Sequence, residues 1–200
     1  MWADRHSPFN PANDRANTES ELLALSPSTP TTVLHLCGLW GGDRLARHWV
    51  GKIAPTKEAL RNKVGLVSPS HREPRTELTR HSDQGGIHMI HGLDVSRAIL
   101  AVHRKFEPAT GQRWLVTDQR IYDWWDLASA WGETKSREKH PDQDTADDGR
   151  GPQPRWVKEL MAEQGVRILP RNIEALGRAL DSREFWSTFG LEPVKARLEE

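Results

Sequence analysis

Apolar residues come in short bursts between long polar stretches, and the period of the bursts changes along the chain. "ANTESELLAL" (Ala16–Leu25) is spaced as a helix, with Asn13 or Asp14 as its cap and acids in the early turns. "TTVLHLC" (Thr31–Cys37) is a continuous β-prone run, the pattern of a strand buried on both faces in a parallel sheet. Past a group of glycines, "RLARHWVGKIA" and "TKEALRNK" return to helical spacing. "IHMI" (Ile87–Ile90) predicts a short strand running into a helix, with a core stripe expected at Val95, Ile99, Leu100, Val102 and Phe106. "GQRWLVTD" (Gly111–Asp118) predicts a strand and "IYDWWDLASAWG" (Ile121–Gly132) a helix stopped by glycine. "RWVKELMAEQGV" predicts an amphipathic helix ending at Gly165, and "PRNIEALGRAL" another helix. "DSREFWSTFGLEP" predicts a last helix, capped by Asp181 or Ser182, that packs Phe185, Trp186 and Phe189 and closes at Gly190 and Pro193. The opening "SPFNPANDR" is turn chemistry.

Two stretches carry no period. Residues 64–85, rich in Ser, Pro, Arg and His, predict a disordered insertion, and 133–154, charged and bearing Pro and Gly, a flexible linker. They divide the chain into a late sheet strand with flanking helices (1–63), the rest of an α/β unit (86–132) and a C-terminal helical part (155–200). Composition agrees with a core diluted by polar insertions. Hydrophobic residues make up 36%, against about 45–50% in ordinary globular domains, yet there are nine tryptophans among 200 residues.

Charge removes some functions. The 28 basic and 28 acidic residues balance, and no basic tract interleaves with aromatics, so neither nucleic acid nor an anionic membrane is an expected partner. The N-terminus is too polar for a signal peptide, and no stretch approaches the roughly 18 apolar residues of a membrane span. The lone Cys37, inside an apolar run, reads as a reduced thiol of a cytoplasmic protein.

The glycines after the first strand raise the question of a phosphate cradle. A dinucleotide fingerprint needs G-x-G-x-x-G between strand and helix, so that bare main chain can approach the pyrophosphate. Gly38, Gly41 and Gly42 give G-x-x-G-G instead, and Leu39 and Trp40 occupy positions where backbone should lie open. No G-x-x-x-x-G-K-[ST] occurs. His35, Cys37, His88 and His91 lack the spacing of a zinc site, and no G-x-S-x-G marks a nucleophilic serine. Trp124, Trp125 and Trp131 read as core, or as contacts to further chain.

Four segments in order carry a resemblance: the strand into "GLWGGDR", then "IHMIHGLDVSRAILAVH", "GQRWLVTDQRIYDWWDLASAWG" and "LDSREFWSTFGLEP". Together they resemble the C-terminal half of an extended short-chain dehydrogenase/reductase, in an atypical branch of the superfamily that includes NAD-dependent epimerases and dehydratases. "WGGD" stands where that family has a "YGPG"-like turn. Ile90, His91, Asp94 and Val95 match an "IHVxDLA"-like segment, "RWLVTD" a "vyNvgd"-like strand, and Leu180, Asp181, Ser182, Phe185, Gly190 and Pro193 an "LdxsKlrxLGwxP"-like segment.

The resemblance implies an α/β fold: the late part of a doubly wound, Rossmann-type sheet plus a small substrate-binding lobe. It implies NAD or NADP in full-length relatives, held by a glycine-rich turn that would lie upstream of residue 1, so this chain alone is expected to bind neither. The family's general acid/base is a tyrosine with a lysine four residues on. Those positions fall on Asp14 and Thr18. A carboxylate titrating near about 4 is a poor proton donor at pH 7 and threonine carries no charge, so the chain is expected to be a truncated, inactive member. The implied substrate side comprises Cys37, Gly38, Leu39, Trp40 and Gly41, with Arg44 facing an anionic ligand. His91 and Asp94 would shape the pocket floor, or Asp94 favours a helix start while His91 packs. Arg183 would reach a nucleotide or phosphate, or is a solvated helix charge. The expected partner is a small hydroxylated or carbonyl substrate. The alternative is a non-catalytic interaction or regulatory module on the same scaffold.

Overall fold

The structure is a computed structural model that describes residues 2–63, 84–132, 151–177 and 179–198. In chain order its first elements are strand β1 (Trp2–Ala3), helix α1 (Asp14–Ala24), strands β2 (Val33–Leu36) and β3 (Gly38–Trp40), and helices α2 (Val50–Ile53) and α3 (Lys57–Arg61). Next come strands β4 (Gly86–Ile87) and β5 (Met89–His91), helix α4 (Gly92–Arg104), strands β6 (Arg113–Val116) and β7 (Tyr122–Asp123), and helix α5 (Trp124–Ala130). Helices α6 (Gln153–Gln164) and α7 (Ile173–Leu176), strand β8 (Ala179–Leu180) and helix α8 (Arg183–Thr188) complete the order. The fold class is α/β. Among the described residues no helix is long and apolar enough to cross a membrane.

The chain divides into two units. One comprises Trp2–Asp43, His88–Ile121 and Ala179–Glu200 and holds the parallel strands. Here β2 pairs with β6, β3 with β5 and β1 with β8, all parallel. The run Val33–Trp40 follows β6 for its first half and then parts from it at Cys37. β5 enters the gap: the Gly38 N–H donates to the His88 carbonyl (2.9 Å) and the Asp118 N–H to the Met89 carbonyl (2.8 Å). A helix crossover, α4, returns the chain from β5 to the parallel β6, as parallel pairing requires.

Strand alternation gives the paired strands β2 and β6 two different faces. Leu34, Trp114 and Val116 point into a core built with Ala98 and Val102 of α4 and Phe185 and Trp186 of α8. The alternate residues His35 and Arg113 point the other way, to Glu19 and Ser20 of α1. That second face sets His35 and Arg113 among polar partners, and β2 is not fully buried on either side as its apolar run predicts: Val33, Leu34 and His35 are half-buried and Leu36, on the core-side face near the strand's end, is 42% exposed. The stripe of α4 also differs. The helix buries Asp94, Ala98 and Val102, spaced by four, with Val95 and Phe106 packed beside them, while Ile99 and Leu100 are exposed.

The other unit comprises Arg44–Ile87 and Tyr122–Arg178. Its core joins Val50, Ala54 and Leu60 to Trp125, Ala128, Val157 and Leu160. The Trp125 indole donates to the Leu60 carbonyl (2.8 Å), and Gln153 to that of Ala54 (3.3 Å). β4 and β7 form a short antiparallel pair. Trp124 and Trp125 are buried, with Trp131 packed against the core.

Three expectations change here. The predicted linker 133–154 and insertion 64–85 lie largely outside the described residues, but Gln153 and Pro154 already belong to α6, where proline is tolerated in the first turn. The predicted helix "PRNIEALGRAL" stops after Leu176, where Gly177 turns at φ 92°. Ala179–Leu180 then form β8, because Trp2 and Ala3, read as part of a polar start, supply a strand partner. The described residues of 155–198 contribute to both units.

Candidate functional site

The carboxyl ends of β3, β5 and β6 face the same way, and several residues singled out in the sequence gather there. Registration places Trp40 opposite His91. Their rings meet edge to face, centroids 4.6 Å apart. Gly41 follows at φ 109°, and a Cβ there would lie 2.3 Å from the His91 Nε2. Glycine is thus required twice, for the backbone conformation and for the space taken by the imidazole.

His91 also caps α4. Its Nδ1 accepts the Leu93 N–H (3.0 Å), so in the neutral ring the proton sits on Nε2. Beside it, Trp40 is 7% exposed and its indole Nε1–H has no acceptor among the described residues. An unmet buried donor costs about 1–3 kcal/mol. Two N–H donors on adjacent strand ends, one of them orphaned, suit an oxygen acceptor such as a hydroxyl or carbonyl.

Asp94 is fully buried and already committed. Its carboxylate accepts from Arg97 (2.8 Å) and from the backbone N–H groups of Val194 (3.0 Å) and Lys195 (2.9 Å). Leu39 packs into the core, and Cys37 is half-buried between β2 and β3. Gly38 spends its N–H on the His88 carbonyl. Arg183 is paired with Asp181 (2.5 Å), whose carboxyl the guanidinium holds below its ordinary range. Asp14 and Thr18 stack on an exposed face of α1, with the Thr18 hydroxyl donating to the Asp14 carbonyl (3.0 Å). Arg44 is the exposed first residue of the other unit's main segment.

The glycines do not fit a pyrophosphate. The Gly38 amide is used within the sheet, the His91 ring covers Gly41, and only Gly42, at φ 59°, has open space around it. The chain beyond them forms a short 3-10 turn and the four-residue α2, not a helix long enough to aim amides at an anion.

The histidines read as possible ligands have other tasks. His88 Nε2 accepts the Leu180 N–H (2.8 Å), and His35 Nε2 lies 3.0 Å from Glu19 Oε2. Among the described residues no three His, Cys, Asp or Glu side chains come together as a metal site. Burial pushes the His35 imidazole below its ordinary 6.5; Glu19 opposes the shift, while Arg113 and Arg15 reinforce it. Folding therefore favours neutral His35, and the unfolded chain binds the extra proton more readily. That contribution is intact at pH 7 and is lost as pH falls below 6.5 through the folded value. Denaturation midpoints between pH 7.5 and 5 will show the loss, and His35→Gln will flatten this part of the profile.

Residues with no sequence pattern complete the surroundings. Thr117 Oγ1, buried after β6, shares a hydrogen bond with Ser182 Oγ (2.8 Å) and accepts the Gln119 N–H (3.0 Å), while the Thr117 carbonyl takes the Trp186 indole N–H (2.9 Å). Gln119 stands at φ 64°, the one non-glycine residue with positive φ among those described. Only "TD" closing a predicted strand hinted at this loop.

No family model matches the chain, and no curated protein does. Solved structures do resemble it. One is assigned as an NAD-dependent epimerase/dehydratase, from Methylobacillus flagellatus, with 14% identity, 98% of this chain and 54% of that one covered, and a TM-score of 0.47. Another is an epimerase from the thermophilic methanogen Methanothermobacter thermautotrophicus, with 10% identity, 95% of this chain and 50% of that one covered, and a TM-score of 0.45. The chain spans about half the length of these structures.

Proposed function

We propose that this chain is the substrate-side half of an NAD(P)-dependent epimerase/dehydratase-like protein of the extended short-chain dehydrogenase superfamily. It offers a small hydroxylated or carbonyl compound a place at the carboxyl ends of β3 and β5, and by itself performs no hydride transfer. The reading rests on the order of the four sequence segments. The observation that carries it is the buried Trp40 indole, whose N–H has no acceptor among the described residues, set edge to face against the His91 ring. In parallel α/β sheets ligands settle outside the carboxyl ends of the strands. The dinucleotide belongs to a longer relative, because the glycines here build no cradle and Asp14 and Thr18 replace the tyrosine and lysine.

The test is spectroscopic. Small polyols and hydroxyketones should shift the Trp40 indole N–H resonance, and Trp40→Phe should identify and abolish that signal. NADH and NADPH should leave the tryptophan fluorescence of the chain without saturable quenching. Tight uptake of either dinucleotide by the chain alone would overturn the half-enzyme reading. A second reading, a non-catalytic interaction module, is favoured by the exposed Leu93, Ile99 and Leu100 of α4. An indole signal that no polyol or hydroxyketone moves would decide for it.

A further inference from the structure

We infer that the C-terminal segment Glu192–Ala196 is a releasable strap across the mouth between β5 and β6, and that its release governs access to the Trp40 and His91 donors. The role in access rests on the substrate-side reading above; the strap itself rests on geometry alone.

Up to Leu191 the C-terminus is anchored by packing. Phe189 and Leu191 lie against the core, Gly190 turns the chain at φ 63°, and the Leu191 N–H closes on the Trp186 carbonyl (2.9 Å). Beyond that point the fastening changes to polar contacts. The Glu192 carbonyl accepts from Arg97 Nη1 (2.7 Å), the Val194 and Lys195 N–H groups donate to Asp94, and the Ala196 carbonyl accepts from Arg120 Nε (2.5 Å). The Val194 side chain is 54% exposed.

These fasteners sit on two lips. Asp94 and Arg97 occupy the first turns of α4, directly after β5, while Arg120 lies in the loop that leaves β6. The two lips belong to hydrogen-bonded neighbours, since Asp118 N donates to the Met89 carbonyl. A segment tied first to one and then to the other must cross their carboxyl ends. His91, the last residue of β5, precedes Asp94 by three positions, so the fastened segment begins next to the end of the strand that carries it. Detaching the strap uncovers little apolar surface and lets water reach the Asp94 carboxylate, which places it among the segments that open before the core does.

Hydrogen exchange on the full chain tests this. Arg120→Ala removes one exposed fastener, and Asp94→Asn weakens the acceptor of two amides. In Arg120→Ala, amides of 192–198 and 117–120 should exchange at least tenfold faster, as should the Trp40 indole proton, while β6 keeps its protection. Asp94→Asn should do the same more strongly. If 192–198 exchanges freely while 117–120 and the Trp40 indole stay as they were, the strap does not cover the mouth. If β6 loses protection together with 192–198, the segment is part of the core and opens with it. Unchanged exchange of 192–198 in Arg120→Ala overturns the fastening itself, even where Asp94→Asn fails to fold. None of these readouts needs a ligand, so an indole that ignores polyols would remove the substrate reading and leave the strap standing.

Discussion

Arg171→Met will cost the helical unit about 3–5 kcal/mol, the range for breaking one side of a buried ion pair. The guanidinium donates from Nε (2.9 Å) and Nη2 (2.6 Å) to Asp123, and the Arg171 backbone N–H adds a third bond to the same carboxylate (2.8 Å). The two side chains are 4% and 0% exposed. Asp123 has a second task, since its Oδ1 accepts the Trp125 N–H (2.8 Å) and so starts α5. The guanidinium also covers the Trp125 ring at 4.1 Å and reaches the Gly85 carbonyl (3.4 Å). Three pieces distant in sequence, Gly85, Asp123–Trp125 and Arg171, are thus tied together by one pair of charges. Asp123→Asn keeps the helix cap and removes the negative charge, leaving Arg171 buried without its counterion, and should cost a similar amount. The double variant Arg171→Met/Asp123→Asn buries no charge, so it should lose clearly less than the two single losses added together. Urea unfolding followed by tryptophan fluorescence gives all three numbers. Additive losses would mean that the charges do not act as a pair.

What could be read from the sequence depended on length and locality. β6 and α6 were visible because several successive residues keep one period, and Gly165 marks the helix end at φ 67°. The two-residue strands β1 and β8 were not, since no period can be recognised over two positions; they exist because each finds the other. The same limit governs the site. Trp40, Gly41 and His91 are nominated by the resemblance, which is carried by short local segments: a strand followed by glycines, and a helix start. Asp94 looked like an ordinary acid in a first turn, and nothing nearby announces that Val194 and Lys195 will occupy its oxygens. Arg97 and Arg120 carried no signal at all, because each meets a backbone carbonyl far along the chain. Ile99 and Leu100 are exposed, against their hydrophobic type, for a related reason. Hydrophobic type suggested burial, but the helix turned a face containing a buried carboxylate toward the sheet.

Gly41→Ala should cost about 2–4 kcal/mol, combining a strained backbone with an overfilled site. At φ 109° an alanine is outside the regions open to L residues, and its Cβ would fall 2.3 Å from Nε2 and 2.6 Å from Cδ2 of His91. The ring has nowhere easy to go, because its Nδ1 holds the Leu93 N–H and its edge contacts Trp40. Displacing it removes the cap of α4 and the donor beside the Trp40 indole together. His91→Asn separates the two parts of the cost. Asparagine is a good helix cap, and its shorter side chain leaves room above residue 41. In that background Gly41→Ala should lose only the backbone part, about 1–2 kcal/mol, so thermal or urea denaturation should show a positive coupling between the two positions. Equal losses in both backgrounds would mean that the imidazole is not what fills the space over Gly41. The Trp40–His91–Gly41 arrangement would then be a loose neighbourhood, and the precise placing of two donors, on which an oxygen-binding site depends, would be gone.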